Sequence, residues 1–108
     1  MQLATPAAQH KTDRLDERTA ERVAELFSAL SDPNRVRIIA ELLTGEKNVG
    51  EIAESIGMSG SAVSHQLRIL RQIRIARTSK RGREVYYALD DDHVVDLFSR
   101  GLDHVKHG

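Results

Sequence analysis

The residue types best suited to chemistry in this 108-residue chain are histidines, and three of its five stand near the end. Asp91, His93, His104 and His107 read Asp-x-His followed, after a gap, by His-x-x-His. On an α-helix at ~100° per residue the three imidazoles fall within about 60° of one another, with Asp91 just before them. One carboxylate and three imidazoles form an N/O donor set that suits tetrahedral Zn(II) or Co(II), with no vacant position for catalysis. Distance then decides the architecture. A rise of ~1.5 Å over the residues from His93 to His104 separates them by roughly 16 Å, whereas donors bound to one ion at ~2.0–2.2 Å lie within about 4 Å of each other. No single straight helix closes this site. An antiparallel pair of the same helix from two subunits does, because Asp91 and His93 of one copy then meet His104 and His107 of the other, giving two equivalent sites per homodimer. Val94, Val95, Leu97, Phe98, Leu102 and Val105 supply apolar surface for such a pairing. Taken singly, each histidine reads as a solvated surface residue, and His104 or His107 as a complement to the helix dipole. Ni(II) is the runner-up metal. It prefers six ligands, and His10, the N-terminal amine or residues beyond Gly108 are the only further donors in view.

A second constellation is basic. The net charge is zero, but residues 1–59 carry 7 Lys/Arg against 10 Asp/Glu, residues 60–89 carry 7 against 1, and residues 90–108 carry 2 against 5. The central block therefore has the charge of a nucleic-acid-binding surface. Within it, Ser61, Ser64, His65 and Arg68 fall at i, i+3, i+4 and i+7, a polar helix row opposite apolar Val63, Leu67 and Leu70. A B-DNA major groove admits an α-helix, and small hydroxyl side chains on its leading turns allow close approach to bases and phosphates. Lys80, Arg81 and Arg83 form a cationic cluster that would reach an adjacent groove or phosphate strand, adding affinity more than sequence choice. The bland alternative is a solvated arginine face on an ordinary bundle.

These groups need elements to hold them. Val23, Leu26, Phe27 and Leu30 give a helical stripe packing one face on a core, from Asp16 onward. Asp32-Pro33 caps and starts a second helix with Val36, Ile39, Ala40 and Leu43, closed by Gly45. Val49, Ile52, Ala53 and Ile56 form a third, closed by Gly57. Gly57-Met58-Ser59 then joins it to a fourth helix over roughly 61–74, the outline of a helix-turn-helix. Runs 75–78 and 84–89 read as strands joined by a turn over Ser79-Lys80-Arg81-Gly82-Arg83. Asp90-Asp91-Asp92 offers caps for a last helix from Val94 to about Lys106. Residues 1–15 read as a mobile tail and 16–108 as one domain. The expected fold is mainly α with a small β-hairpin wing, a winged helix-turn-helix of order α-α-α-α-β-β-α.

Three stretches carry a family resemblance. Leu30-Ser31-Asp32-Pro33-Asn34-Arg35-Val36-Arg37-Ile38-Ile39, Ser61-Ala62-Val63-Ser64-His65-Gln66-Leu67-Arg68-Ile69-Leu70 and Arg81-Gly82-Arg83-Glu84-Val85-Tyr86-Tyr87-Ala88-Leu89 resemble, in order, the signature segments of the ArsR/SmtB family of bacterial repressors. The similarity covers roughly residues 17–107. It implies a homodimer through the first and last helices whose operator affinity falls when a metal binds. The four proposed ligands resemble the C-terminal-helix metal site of the family's zinc-type sensors. Its soft-metal sites on the third helix use cysteine, and Val49-Gly50-Glu51 has none. Two departures are Gly60, where many relatives carry a larger polar residue, and Arg74, where a small residue is usual and a phosphate contact would be added.

The resulting expectation is a repressor that binds double-stranded operator DNA without metal and is released by Zn(II) or Co(II), freeing metal-efflux or resistance genes. Alternatives are a Ni(II)/Co(II) sensor of the same family, or a winged-helix regulator without metal response. An enzyme is not expected, since no nucleophile–base order, glycine-rich phosphate loop or vacant metal site is present, and no small-molecule substrate is implied. Zero cysteines exclude disulfides and thiolate sites and suit a reducing cytoplasm. No apolar run approaches the ~18 residues of a membrane span, and no signal peptide precedes the first helix.

Overall fold

The computed structural model describes residues 14–108, so His10 and most of the expected tail lie outside the described residues. Five helices and three short strands follow in the order α1 (Glu17–Ala29), α2 (Pro33–Leu42), β1 (Lys47–Asn48), α3 (Val49–Ile56), α4 (Gly60–Gln72), β2 (Ala76–Arg81), β3 (Glu84–Leu89) and α5 (Asp92–His107). Each helix starts at a side chain that accepts from an otherwise unpaired backbone N–H. Asp16 takes Thr19, Asp32 takes Arg35 with Pro33 behind it, Ser59 takes Ala62 and Asp91 takes Val94. Asn48 and Glu51 form a reciprocal capping box on α3. Gly57 ends α3 in the left-handed region at φ 72°, which turns the chain into α4 within three residues.

The end of α4 departs from the expected 61–74. The helix stops at Gln72, and Arg74 takes φ 65°, the one non-glycine positive φ among the described residues. Ile75 N–H donates to Leu70 O at 2.9 Å and Arg74 N–H to Arg71 O at 3.1 Å, a Schellman closure in which arginine occupies the position glycine usually takes. A Cβ in this region costs about 1 kcal/mol. The buried pair Leu70 and Ile75 supplies the apolar contact that accompanies the motif.

The sheet is three-stranded, not a lone hairpin, in the order β1-β3-β2. β1 was not foreseen, because two residues are too few to show a period. It pairs Lys47 with Tyr87 and Asn48 with Tyr86. The β2–β3 ladder runs from Ala76 opposite Leu89 to Arg81 opposite Glu84, so the turn is only Gly82-Arg83, and Ser79, Lys80 and Arg81 belong to the strand. Gly82 at φ 63° takes the first turn position, where a two-residue hairpin loop favours glycine.

One core joins these elements: Ile38, Ile39, Leu42, Ile52, Val63, Leu67, Leu70, Ile75, Ala76, Leu89 and Phe98, with Ala29 from α1. Helix α2 buries Ile38 and Leu42 besides Ile39, whereas Val36, Ala40 and Leu43 are half-buried, so its buried face is rotated from the expected stripe. The larger difference is α1. Half of its stripe packs on the core, through Leu26 and Leu30, whereas Val23 is 41% and Phe27 55% exposed. Periodicity marks an apolar face without saying how much of it the same chain covers.

Candidate nucleic-acid interface and metal centre

The fold presents α4 as the second helix of a helix-turn-helix. Val63, Leu67 and Leu70 are fully buried, and this inward row turns Ser61, His65 and Arg68 outward, with Ser64 half-exposed between them. Arg37, from α2, donates from Nη2 to the Ile56 carbonyl at 2.7 Å and so fastens the helix before the turn to the layer beneath. Lys80 and Arg83 stand exposed at the hairpin tip. Arg81 is placed differently from what its cationic neighbourhood suggests. Its Nη2 is ion-paired with Glu46 Oε1, and its guanidinium lies 4.6 Å from the Tyr86 ring centroid. Arg74, the expected phosphate contact, is exposed and lines a surface recess with Arg18, Glu21, Arg22 and Glu25 of α1. Two features that sequence reasoning missed also meet here. Asn48 Nδ2 donates to Glu84 Oε1 at 2.7 Å, and Lys47 Nζ donates to Glu41 Oε1 at 3.1 Å. That hydrogen bond is the main reason the Glu41 carboxyl titrates below its ordinary range; partial burial opposes it, and the Ser55 hydroxyl adds to it.

The metal-ligand candidates occupy the two ends of α5, which is unbroken over 16 residues. At its start, Asp91 Oδ1 accepts from Val94 N–H at 2.9 Å, and His93 Nδ1 lies 4.0 Å from the same oxygen. The cap uses one carboxylate oxygen and leaves the second able to take a cation. At its end, His104 and His107 line a shallow recess with Arg100, Asp103 and Gly108, and His107 Nε2 lies 3.8 Å from Asp103 Oδ1. All four candidate side chains are exposed. The chain brings Asp91 to His93 and His104 to His107, but not one pair to the other. Among the described residues no group of three or more His, Cys, Asp or Glu in one chain is arranged to hold a metal ion. Hard and borderline N/O donors suit a divalent first-row ion, and each end carries two of them.

Beside α5 runs an apolar recess of about 350 Å³ lined by Phe27, Leu30 and Val36 together with Leu97, Phe98, Leu102 and Val105. Val105 is 80% exposed. The apolar face of α1 and that of α5 are therefore adjacent and uncovered together. No helix among the described residues is long and apolar enough to cross a membrane.

Comparison with known proteins matches residues 32–78 to the family described as bacterial regulatory protein, arsR family. The chain is 46% identical over 81% of its length to a transcriptional repressor SmtB homolog of Synechocystis sp., spanning 66% of that protein. It is 41% identical over 86% of its length to the HTH-type transcriptional regulator NmtR of Mycobacterium tuberculosis, spanning 78% of it. The solution structure of apo-NmtR superposes with a TM-score of 0.75 at 40% identity, covering 88% of this chain and 80% of that one. A homodimeric winged helix-turn-helix DNA-binding domain from Mycobacterium bovis, a possible ArsR-family regulator, superposes with a TM-score of 0.76 at 26% identity, covering 89% of this chain and 94% of that one.

Proposed function

The chain belongs to the arsR family of bacterial regulatory proteins, and from that premise we propose that it is a metal-responsive repressor, a homodimer that binds operator DNA when metal-free and lets go when Zn(II) or Co(II) binds between its two α5 helices. It is a DNA-binding regulator and not an enzyme. The observation that carries the reading is the division of four suitable donors between the ends of one unbroken helix that runs beside an uncovered apolar face. A second copy packed antiparallel through α1 and α5 covers that face and joins the halves in the same step.

Ser61, Ser64, His65 and Arg68 of each copy address base edges and nearby phosphates, while Lys80 and Arg83 address the flanking backbone. In a twofold dimer the two α4 helices enter the major groove about one DNA turn apart, which requires an inverted-repeat operator. Asp91 and His93 of one copy with His104 and His107 of the other would hold the ion, whose chemistry here is to crosslink the two helices. The crosslink favours a spacing of the α4 helices that the operator does not accept. Its coupling energy is of order 1–3 kcal/mol. Derepression of metal-efflux or resistance genes in the cytoplasm is the corresponding physiological outcome.

Operator affinity measured with and without Zn(II), Co(II) and Ni(II), beside the Co(II) absorption spectrum, tests the proposal. Weaker operator binding with zinc or cobalt and a tetrahedral cobalt spectrum support it; an octahedral spectrum with a stronger nickel response moves the reading to nickel. Unchanged affinity with every metal leaves a regulator without metal response. Substituting His104 or His107 abolishes metal-driven release and spares metal-free operator binding; a retained zinc response in either variant contradicts the site.

A further inference from the structure

We propose that Glu46, Asn48 and Arg81 are positioning residues that fix the angle of the wing against the helix-turn-helix, and that Arg81 serves DNA binding through this brace without itself holding a phosphate. The inference rests on the DNA-binding reading above and assigns a task to carboxylates that reading leaves unused.

Arg81 and Glu84 face each other as the last pair of the ladder, immediately either side of the Gly82-Arg83 turn. Both are tied back to the same short segment. Arg81 pairs with Glu46 and stacks on Tyr86, and Glu84 accepts from Asn48. Asn48 is simultaneously the N-cap of α3, accepting from Glu51 N–H at 2.8 Å while its own N–H donates to Glu51 Oε1 at 2.9 Å. Wing movement is thereby transmitted to the first helix of the helix-turn-helix through one side chain. The backbone alone is a weak hinge stop, since β1 has two residues and an isolated two-stranded hairpin is marginal in water. Arginine suits the task, because its planar guanidinium can stack on an aromatic ring while its fork engages a carboxylate. Glu46 and Glu84 are otherwise misplaced beside a surface meant for phosphates, where each unpaired negative charge weakens binding.

That last point gives a test with opposite signs. The probes are an inverted-repeat duplex selected from a random pool by the wild-type dimer and a scrambled duplex of equal length. By charge alone Glu46→Ala tightens both complexes, and it releases Arg81 toward phosphate. The brace requires the reverse: affinity for the inverted repeat falls about fivefold while affinity for the scrambled duplex does not fall. Asn48→Asp keeps an N-cap acceptor but sets a carboxylate against Glu84, and it lowers the ratio of the two affinities likewise. Adding Glu84→Gln to it restores a donor–acceptor pair and recovers the ratio. For Arg81→Ala, the slope of log affinity against log salt stays near wild type, whereas loss of a phosphate contact reduces it by about 0.9 per subunit. Melting temperatures within a few degrees of wild type keep the comparison between folded proteins. Tighter binding of both duplexes by Glu46→Ala, an unchanged ratio in Glu46→Ala and Asn48→Asp, or a reduced salt slope in Arg81→Ala overturns the brace. Failure of the wild-type protein to bind either duplex overturns the DNA-binding reading, and the brace with it.

Discussion

The helix-turn-helix with its wing and the α1–α5 face are built to different degrees of completion within one chain. The first is closed on itself: α3 carries a capping box, α4 ends in a Schellman closure over buried Leu70 and Ile75, and the hairpin is tied to Glu46 and Asn48. The second stops short, with Val23, Phe27 and Val105 exposed and one pair of candidate donors at each end of α5. The difference teaches which task each region performs alone. The DNA-binding surface is assembled within one chain, whereas the face proposed to sense an ion is left open for a second copy to complete.

Truncating the closed region has the largest expected effect. Leu67→Ala empties a fully buried position and lowers stability by about 2–5 kcal/mol, measured by denaturant unfolding. A charge placed on the open face behaves otherwise. Phe27→Glu leaves the chain folded but weakens dimerisation by about 2 kcal/mol or more, roughly thirtyfold in dissociation constant by sedimentation. If Phe27→Glu instead unfolds the chain at concentrations where it is monomeric, the two regions are not separable. Arg74→Gly relieves the left-handed strain at the end of α4 and raises stability by about 1 kcal/mol, seen as a higher melting temperature.

The smallest effect concerns acid. Asp16 caps α1, and the backbone N–H of Thr19, followed by its hydroxyl, holds the Asp16 carboxyl below its ordinary range. Because the folded value lies below the unfolded one, the cap's contribution is present above the ordinary carboxylate range and is lost as pH falls through the depressed value. Amide exchange in the first turn of α1 speeds up over that interval, while the first turn of α4, capped by the non-titrating Ser59, does not respond through its cap.

Much of this contrast was legible in the residues. The caps at Asp32 and Asp91, the start of α1 after Asp16, the turn at Gly57, the buried row Val63, Leu67 and Leu70, and the placing of the four candidate donors at the two ends of α5 all follow from local spacing that one helix can display. The rest depends on contacts far apart in the chain. Strand β1 is visible only through its pairing with Tyr86 and Tyr87, the role of Arg81 only through Glu46, thirty-five residues earlier, and the left-handed Arg74 only through the closure it completes. Phe27 shows the remaining limit, because hydrophobic periodicity identifies a face to be buried and is silent on whether its cover belongs to the same chain.

A metal centre shared between two copies, as proposed above, is open to a mixing experiment with two inactive variants. One variant carries Asp91→Asn with His93→Ala, which keeps a capping side chain; the other carries His104→Ala with His107→Ala. Zn(II) or Co(II) titration of each homodimer should show no tight site, and the mixed dimer should regain one tight site where the wild type has two. A mixed dimer with no recovered site, or either variant alone retaining wild-type stoichiometry, contradicts the account.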